Sequence, residues 1–66
     1  MKADYDAEVD VLTVLFSGAE VEESDEIRPG LILDYDIHGN VVGLEILDAS
    51  RRVENPAEMV FAVRAA

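Results

Sequence analysis

Residues 34–45 read Asp-x-Asp-x-His-Gly-x-x-x-x-x-Glu. Calcium loops of the EF-hand type place carboxylates at loop positions 1, 3 and 12 around a glycine at 6. A hard cation needs several oxygens, and the chain must turn sharply to bring them together. Asp34, Asp36, Gly39 and Glu45 fall at those positions, and His38 stands where Asp or Asn is usual. The flanking residues have the pattern of strands and not of helices, so the EF-hand setting fails. Two readings stay open: a loose divalent-cation site at Asp34, Asp36 and Glu45, or the plainer one, a hairpin with a polar outer face. Asp4, Asp6, Glu8 and Asp10 also alternate, but no glycine or twelfth-position acid follows, and a solvated turn explains them. Catalysis needs a nucleophile beside a base, or two carboxylates of unequal acidity in a cleft. Here the single histidine, His38, falls in a turn and there is no cysteine. Ser17, Ser24 and Ser50 have no base within any plausible pairing, and turns or caps account for them. The expectation is a non-enzymatic chain with no cofactor and no committed metal site.

The elements that position these groups are mostly strands. Residues 2–5 form a short strand and Asp6-Ala7-Glu8 a turn. Val9 to Phe16, with Val11, Leu12, Val14, Leu15 and Phe16, is rich in β-branched and aromatic types and is the strongest strand. Residues 19–27 carry five acids and suit an edge strand, where charge blocks pairing with other sheets. Arg28-Pro29-Gly30 has the order of a type II turn. From Leu31 to Asp48, Leu31, Leu33 and Tyr35 alternate with Ile32, Asp34 and Asp36 up to a turn over 37–40. Val42, Leu44 and Ile46 then alternate onward. Pairing Asp36 with Val41 puts those two apolar sets on one face and Asp34, Asp36 and Glu45 on the other. Asp48 caps one helical turn over residues 49–52. Asn55-Pro56-Ala57-Glu58 has the order of a helix start, with Pro56, Met59, Val60 and Val63 along one stripe. A short strand over 59–63 is the alternative.

Sixty-six residues make one domain, spanning 1–66, and a chain this short buries only about 60% of its unfolded surface. Without cysteine it has no disulfide to make up the deficit; a partner chain is the remaining common device. Half the residues are apolar, enough for a core. The 15 acids and 5 bases leave a net charge of −10. Residues 1–45 hold 12 of the acids against Lys2 and Arg28, so the sheet-forming part carries the whole imbalance. Such a surface repels phosphate backbones and anionic lipid, which argues against nucleic-acid and membrane partners. The remaining readings are a basic protein partner and solvation in a salty cytoplasm, where screening removes self-repulsion. The near-absence of lysine fits the second. No apolar leader or long apolar run is present, so the expected compartment is the cytoplasm.

Three segments together resemble the bacterial and archaeal domain-of-unknown-function family 2283. They are Tyr5-Asp6-Ala7-Glu8-Val9-Asp10-Val11-Leu12, Pro29-Gly30-Leu31-Ile32-Leu33-Asp34-Tyr35-Asp36 and Gly39-Asn40-Val41-Val42-Gly43-Leu44-Glu45-Ile46-Leu47-Asp48-Ala49-Ser50. The resemblance covers about residues 4–52. It departs at Thr13, where the family often has an aromatic, and at Leu15, where it often has a polar residue. It implies a small antiparallel sheet with a C-terminal helical part and no established activity. Some members of the family look like partners of small toxin-like proteins. The expected architecture is α+β: a four- to five-stranded antiparallel β-meander with a C-terminal helix. Val11, Leu15 and Ile32 point off the main core face and Phe61 off the helix stripe. These four are the candidate interface of a homodimer, which would bury them at about 25 cal/mol per Å². A module that neutralises a basic protein is the functional expectation beside it.

Overall fold

A computed structural model describes residues 1–65. Five strands run in chain order: β1 (Lys2–Asp6), β2 (Val11–Leu15), β3 (Glu23–Arg28), β4 (Leu31–Tyr35) and β5 (Val41–Leu47). One helical turn, α1 (Ala49–Arg52), follows. The expected antiparallel sheet with a short C-terminal helix is present. Its strand order is β1-β2-β5-β4-β3, so the meander holds for β3, β4 and β5 and is interrupted between β2 and β3. The β1–β2 hairpin and the β3–β4–β5 meander are joined by antiparallel pairing of β2 with β5. The link from β2 to β3 therefore crosses to the far edge, and β5, the longest strand, takes the centre.

Register follows the alternation of apolar residues. Leu31 pairs with Ile46 and Leu33 with Leu44, so these side chains share one face. Leu12 pairs with Ile46 and Val14 with Leu44 on that same face. Near the turn the expected register breaks: a bulge between Asp34 and Tyr35 sets Tyr35 opposite Val41, and the Asp36 amide donates to the Asn40 carbonyl. The extra residue is Val42 of β5, which has no partner on β4 between the Asp34–Gly43 and Tyr35–Val41 pairs.

The core is thin. Leu12, Ile46 and Ala49 are buried together, with Tyr5, Val14, Leu31, Leu44 and Val53 packed around them. This is the core face. Of the described elements only α1 lies over it, and no element covers the opposite, open face.

The helix expected after Pro56 does not form. Asn55 does make a turn, its side-chain oxygen accepting from the Ala57 amide and its carbonyl from the Glu58 amide. Beyond it, residues 59–65 have no regular structure. A helix this short cannot repay its own nucleation, and Val60 and Val63 add β-branched cost. Among the described residues nothing buries its stripe beyond Pro56: Met59, Val60 and Val63 are all exposed.

The core residues sit at the junction of β2, β5 and α1, so their loss is felt through three elements. Ile46→Ala should destabilise the fold by about 2–4 kcal/mol, a large share of what a domain this small has. Urea titration followed by circular dichroism measures it.

Candidate functional site

Two clusters of polar chemistry emerge, one structural and one on the open face. The structural one centres on Asp10. Its backbone is left-handed, with φ of 58°, a region that Asp tolerates better than most residues. That conformation turns its carboxylate toward α1. The Ser50 amide and the Tyr5 hydroxyl donate to Oδ1 at 2.9 and 2.7 Å, and the Ser50 hydroxyl donates to Oδ2 at 2.6 Å. The Asp10 carbonyl also accepts from the Ala49 amide at 3.0 Å. Asp10 thus caps the helix from 40 residues away. Asp48, expected to cap it, does not. It is itself left-handed, with φ of 52°, and its side chain makes no capping bond; a cap needs extended backbone at that position. At the other end of α1 the Arg52 guanidinium donates to the Pro29 carbonyl. Gly30, in the same turn, suits its left-handed backbone and lies under that guanidinium. Its φ is 79°, and a Cβ there would stand 3.4 Å from the Arg52 guanidinium.

The Ser50 hydroxyl, the Tyr5 hydroxyl and the Ser50 amide hold the Asp10 carboxyl below its ordinary range, outweighing the cost of partial burial. The same bond to Asp10 raises the Tyr5 hydroxyl.

The second cluster lies on the open face. Register places Val11, Thr13, Leu15, Glu45 and Gly43 there from β2 and β5, and Ile32 and Asp34 from β4. Asp34 is only 9% exposed, a rare state for a carboxylate. Two neighbours permit it. The Ser24 hydroxyl donates to its Oδ1 at 2.5 Å. Gly43 leaves space across the strand pair: a Cβ there would stand 3.2 Å from the Val14 carbonyl and 3.5 Å from Asp34 Oδ2. Glu45, diagonal to Asp34, has its carboxyl raised by partial burial, then by the Asp34 charge and a hydrogen bond to it.

The three-carboxylate cation site does not assemble. Asp36 is consumed by its own turn: its carboxylate accepts from the His38 and Asn40 amides, both at 2.9 Å. Those bonds lower its carboxyl. Among the described residues no group of three His, Cys, Asp or Glu side chains is placed to hold a metal. His38 lies exposed in that turn. The serines are all engaged: Ser24 and Ser50 as above, and Ser17 Oγ accepts from the Ala19 amide.

The four candidate interface residues do not form one patch. Val11, Leu15 and Ile32 share the open face. Phe61 lies on the other side, where it borders a groove with Met1, Ala3, Val14 and Met59. Sequence reading missed Asp10, Ser24 and Gly43. Asp10 sat in a run of alternating acids that looked solvated, and only its partner 40 residues away distinguishes it.

The chain matches the model of a family described as "Protein of unknown function (DUF2283)" over residues 2–50. It is also similar to an uncharacterised protein of the archaeon Methanocaldococcus jannaschii, with 41% identity over 51 residues. That match covers 77% of this chain and 43% of the relative, so the chain spans less than half the relative's length. No solved structure matches. Among the described residues no helix is long and apolar enough to cross a membrane.

Two titrations follow with opposite signs. Asp10 is depressed below its ordinary 3.8, so its contribution is present above that pH and lost as pH falls through the folded value. Asp10→Asn, which keeps an acceptor and tolerates the left-handed backbone, should flatten the acid limb of thermal melts run from about pH 7 to about pH 2. Glu45 is raised above its ordinary 4.5, so its charged form disfavours the fold as pH rises through the folded value. Glu45→Gln should raise the melting temperature at neutral pH and leave it unchanged below about pH 4.

Proposed function

The chain belongs to this family of proteins of unknown function, and on that premise we propose that it is a non-catalytic binding module that works as a homodimer. The observation that carries this reading is surplus surface. A compact monomer of 7.2 kDa exposes about 4,100 Å². This chain exposes 5245 Å², about 1,100 Å² more than that relation gives. A standard interface covers about 800 Å² on each partner. The radius of gyration points the same way: 12.8 Å against about 10.8 Å for a compact chain of this length. The serine hydroxyls support the non-catalytic part: Ser24 and Ser50 are committed to bonds between elements, and Ser17 accepts from the Ala19 amide in its own loop.

A basic protein partner is a second reading, favoured by Asp34 and Glu45. Two carboxylates lie together on an uncovered sheet face among Val11, Leu15 and Ile32. A guanidinium or ammonium set there would offset the Asp34 charge, which adds to burial in raising Glu45. The archaeal relative is uncharacterised and adds nothing to the choice of partner. The density of acid also fits a salt-adapted chain, in which dissolved cations screen the −10 charge.

Sedimentation equilibrium of the purified chain should return about twice its 7.2 kDa mass; a single-chain mass at all concentrations would falsify the homodimer. Thermal melts in rising KCl test the charge reading. The melting temperature should climb until the Debye length reaches about 3 Å near 1 M, and a flat curve would mean that self-repulsion is not what limits stability.

A further inference from the structure

The homodimer reading leaves open which face meets the second copy, and charge separates the two candidates. Register puts Asp4, Asp6, Glu26, Asp34 and Glu45 on the open face, against Lys2. Stacking two open faces would bring ten carboxylates and two ammonium groups into one layer, a like-charge juxtaposition that costs affinity. The apolar groups of that face are dispersed among those acids: Val11 and Ile32 are half-buried, Leu15 is 41% exposed and Leu47 37%.

The other side of the sheet differs. A groove there is bounded by Met1, Ala3, Val14, Met59 and Phe61, with Lys2 of the open face at its rim and Glu58 in the adjoining part of the tail. The tail returns along β1, with Pro56, Ala57 and Met59 beside Ala3, Tyr5 and Leu12. It is loosely seated, since Phe61 is 72% exposed and Met59 58%. This is where the surplus area is apolar: Met1, Met59, Val60, Phe61 and Val63 are all exposed at one side of the molecule or on the tail that borders it. Aromatic and methionine side chains are the types enriched at the centre of stable interfaces.

Resting on the homodimer reading, we infer that a second copy of the chain seats on this groove. The segment around Met59 and Phe61 of each copy is clasped between the two core faces. The open faces, with Asp34 and Glu45, then point outward on both sides of the dimer and remain free. The contact is isologous, so each pairing of groove residues across it occurs twice, once from each copy.

The test compares sedimentation equilibrium of the full-length wild type, Phe61→Glu and Leu15→Glu in about 1 M KCl, where a Debye length of about 3 Å removes net repulsion between copies. Both positions are exposed, and circular dichroism checks that each variant folds. Met59→Glu, on the same groove, repeats the reading if Phe61→Glu is poorly behaved. The expected result is a wild-type dimer, a dissociation constant raised about 100-fold or more by Phe61→Glu, and little change from Leu15→Glu. A wild-type dimer that survives both groove substitutions, or that Leu15→Glu alone dissociates, overturns this assignment and leaves the homodimer standing. A monomeric wild type sinks both.

Discussion

The carboxylate of Asp10 is the joint on which the rest of the structure depends. It receives the Tyr5 hydroxyl from β1 and both the amide and the hydroxyl of Ser50 from α1, while its carbonyl takes the Ala49 amide. A helical turn of four residues has no stability of its own. Held at Asp10, it places Ala49 fully buried against Leu12 and Ile46. Arg52 at its far end reaches the Pro29 carbonyl in the β3–β4 turn. One helical turn thus ties the β1–β2 turn to the β3–β4 turn, and that end of the sheet is held by polar bonds as much as by packing.

That arrangement explains both the flatness of the molecule and its unfinished surface. The helix covers only the end of the core face near Leu12 and Ile46, and the tail beyond Pro56 settles loosely along β1. The result is a slab of 34 × 32 × 18 Å, too thin to bury large side chains completely. The opposite face has no layer at all, yet it holds a nearly buried carboxylate. Asp34 lies flat because Gly43 has no side chain across from it and because Ser24 donates to it. The chemistry of the two sides diverges: apolar and sparsely charged around the tail, acidic with scattered aliphatic groups on the open face.

The sequence by itself determined the strands, the pairing of β4 with β5 and the assignment of faces, because strand side chains alternate with a period of two. Once Leu31 and Leu33 are set against Leu44 and Ile46, Ile32 and Glu45 must lie on the other side. The family was legible for a related reason, since its motifs lie on those hairpins. Only the tertiary structure decided which strands are neighbours across a long connection: β5 pairs with β2, and no local pattern marks that choice. It also decided the roles of single residues whose partners are remote in sequence. Asp10 and Asp48 look alike as acids near turns, but both are left-handed and only Asp10 points at the helix. Asp36 and Asp34 look alike as alternating acids, but one folds onto its own turn and the other lies across Gly43. The apolar stripe after Pro56 fits a helix on paper. A helix that short forms only where a surface waits to bury it, and the sheet offers that surface to a single turn over residues 49–52.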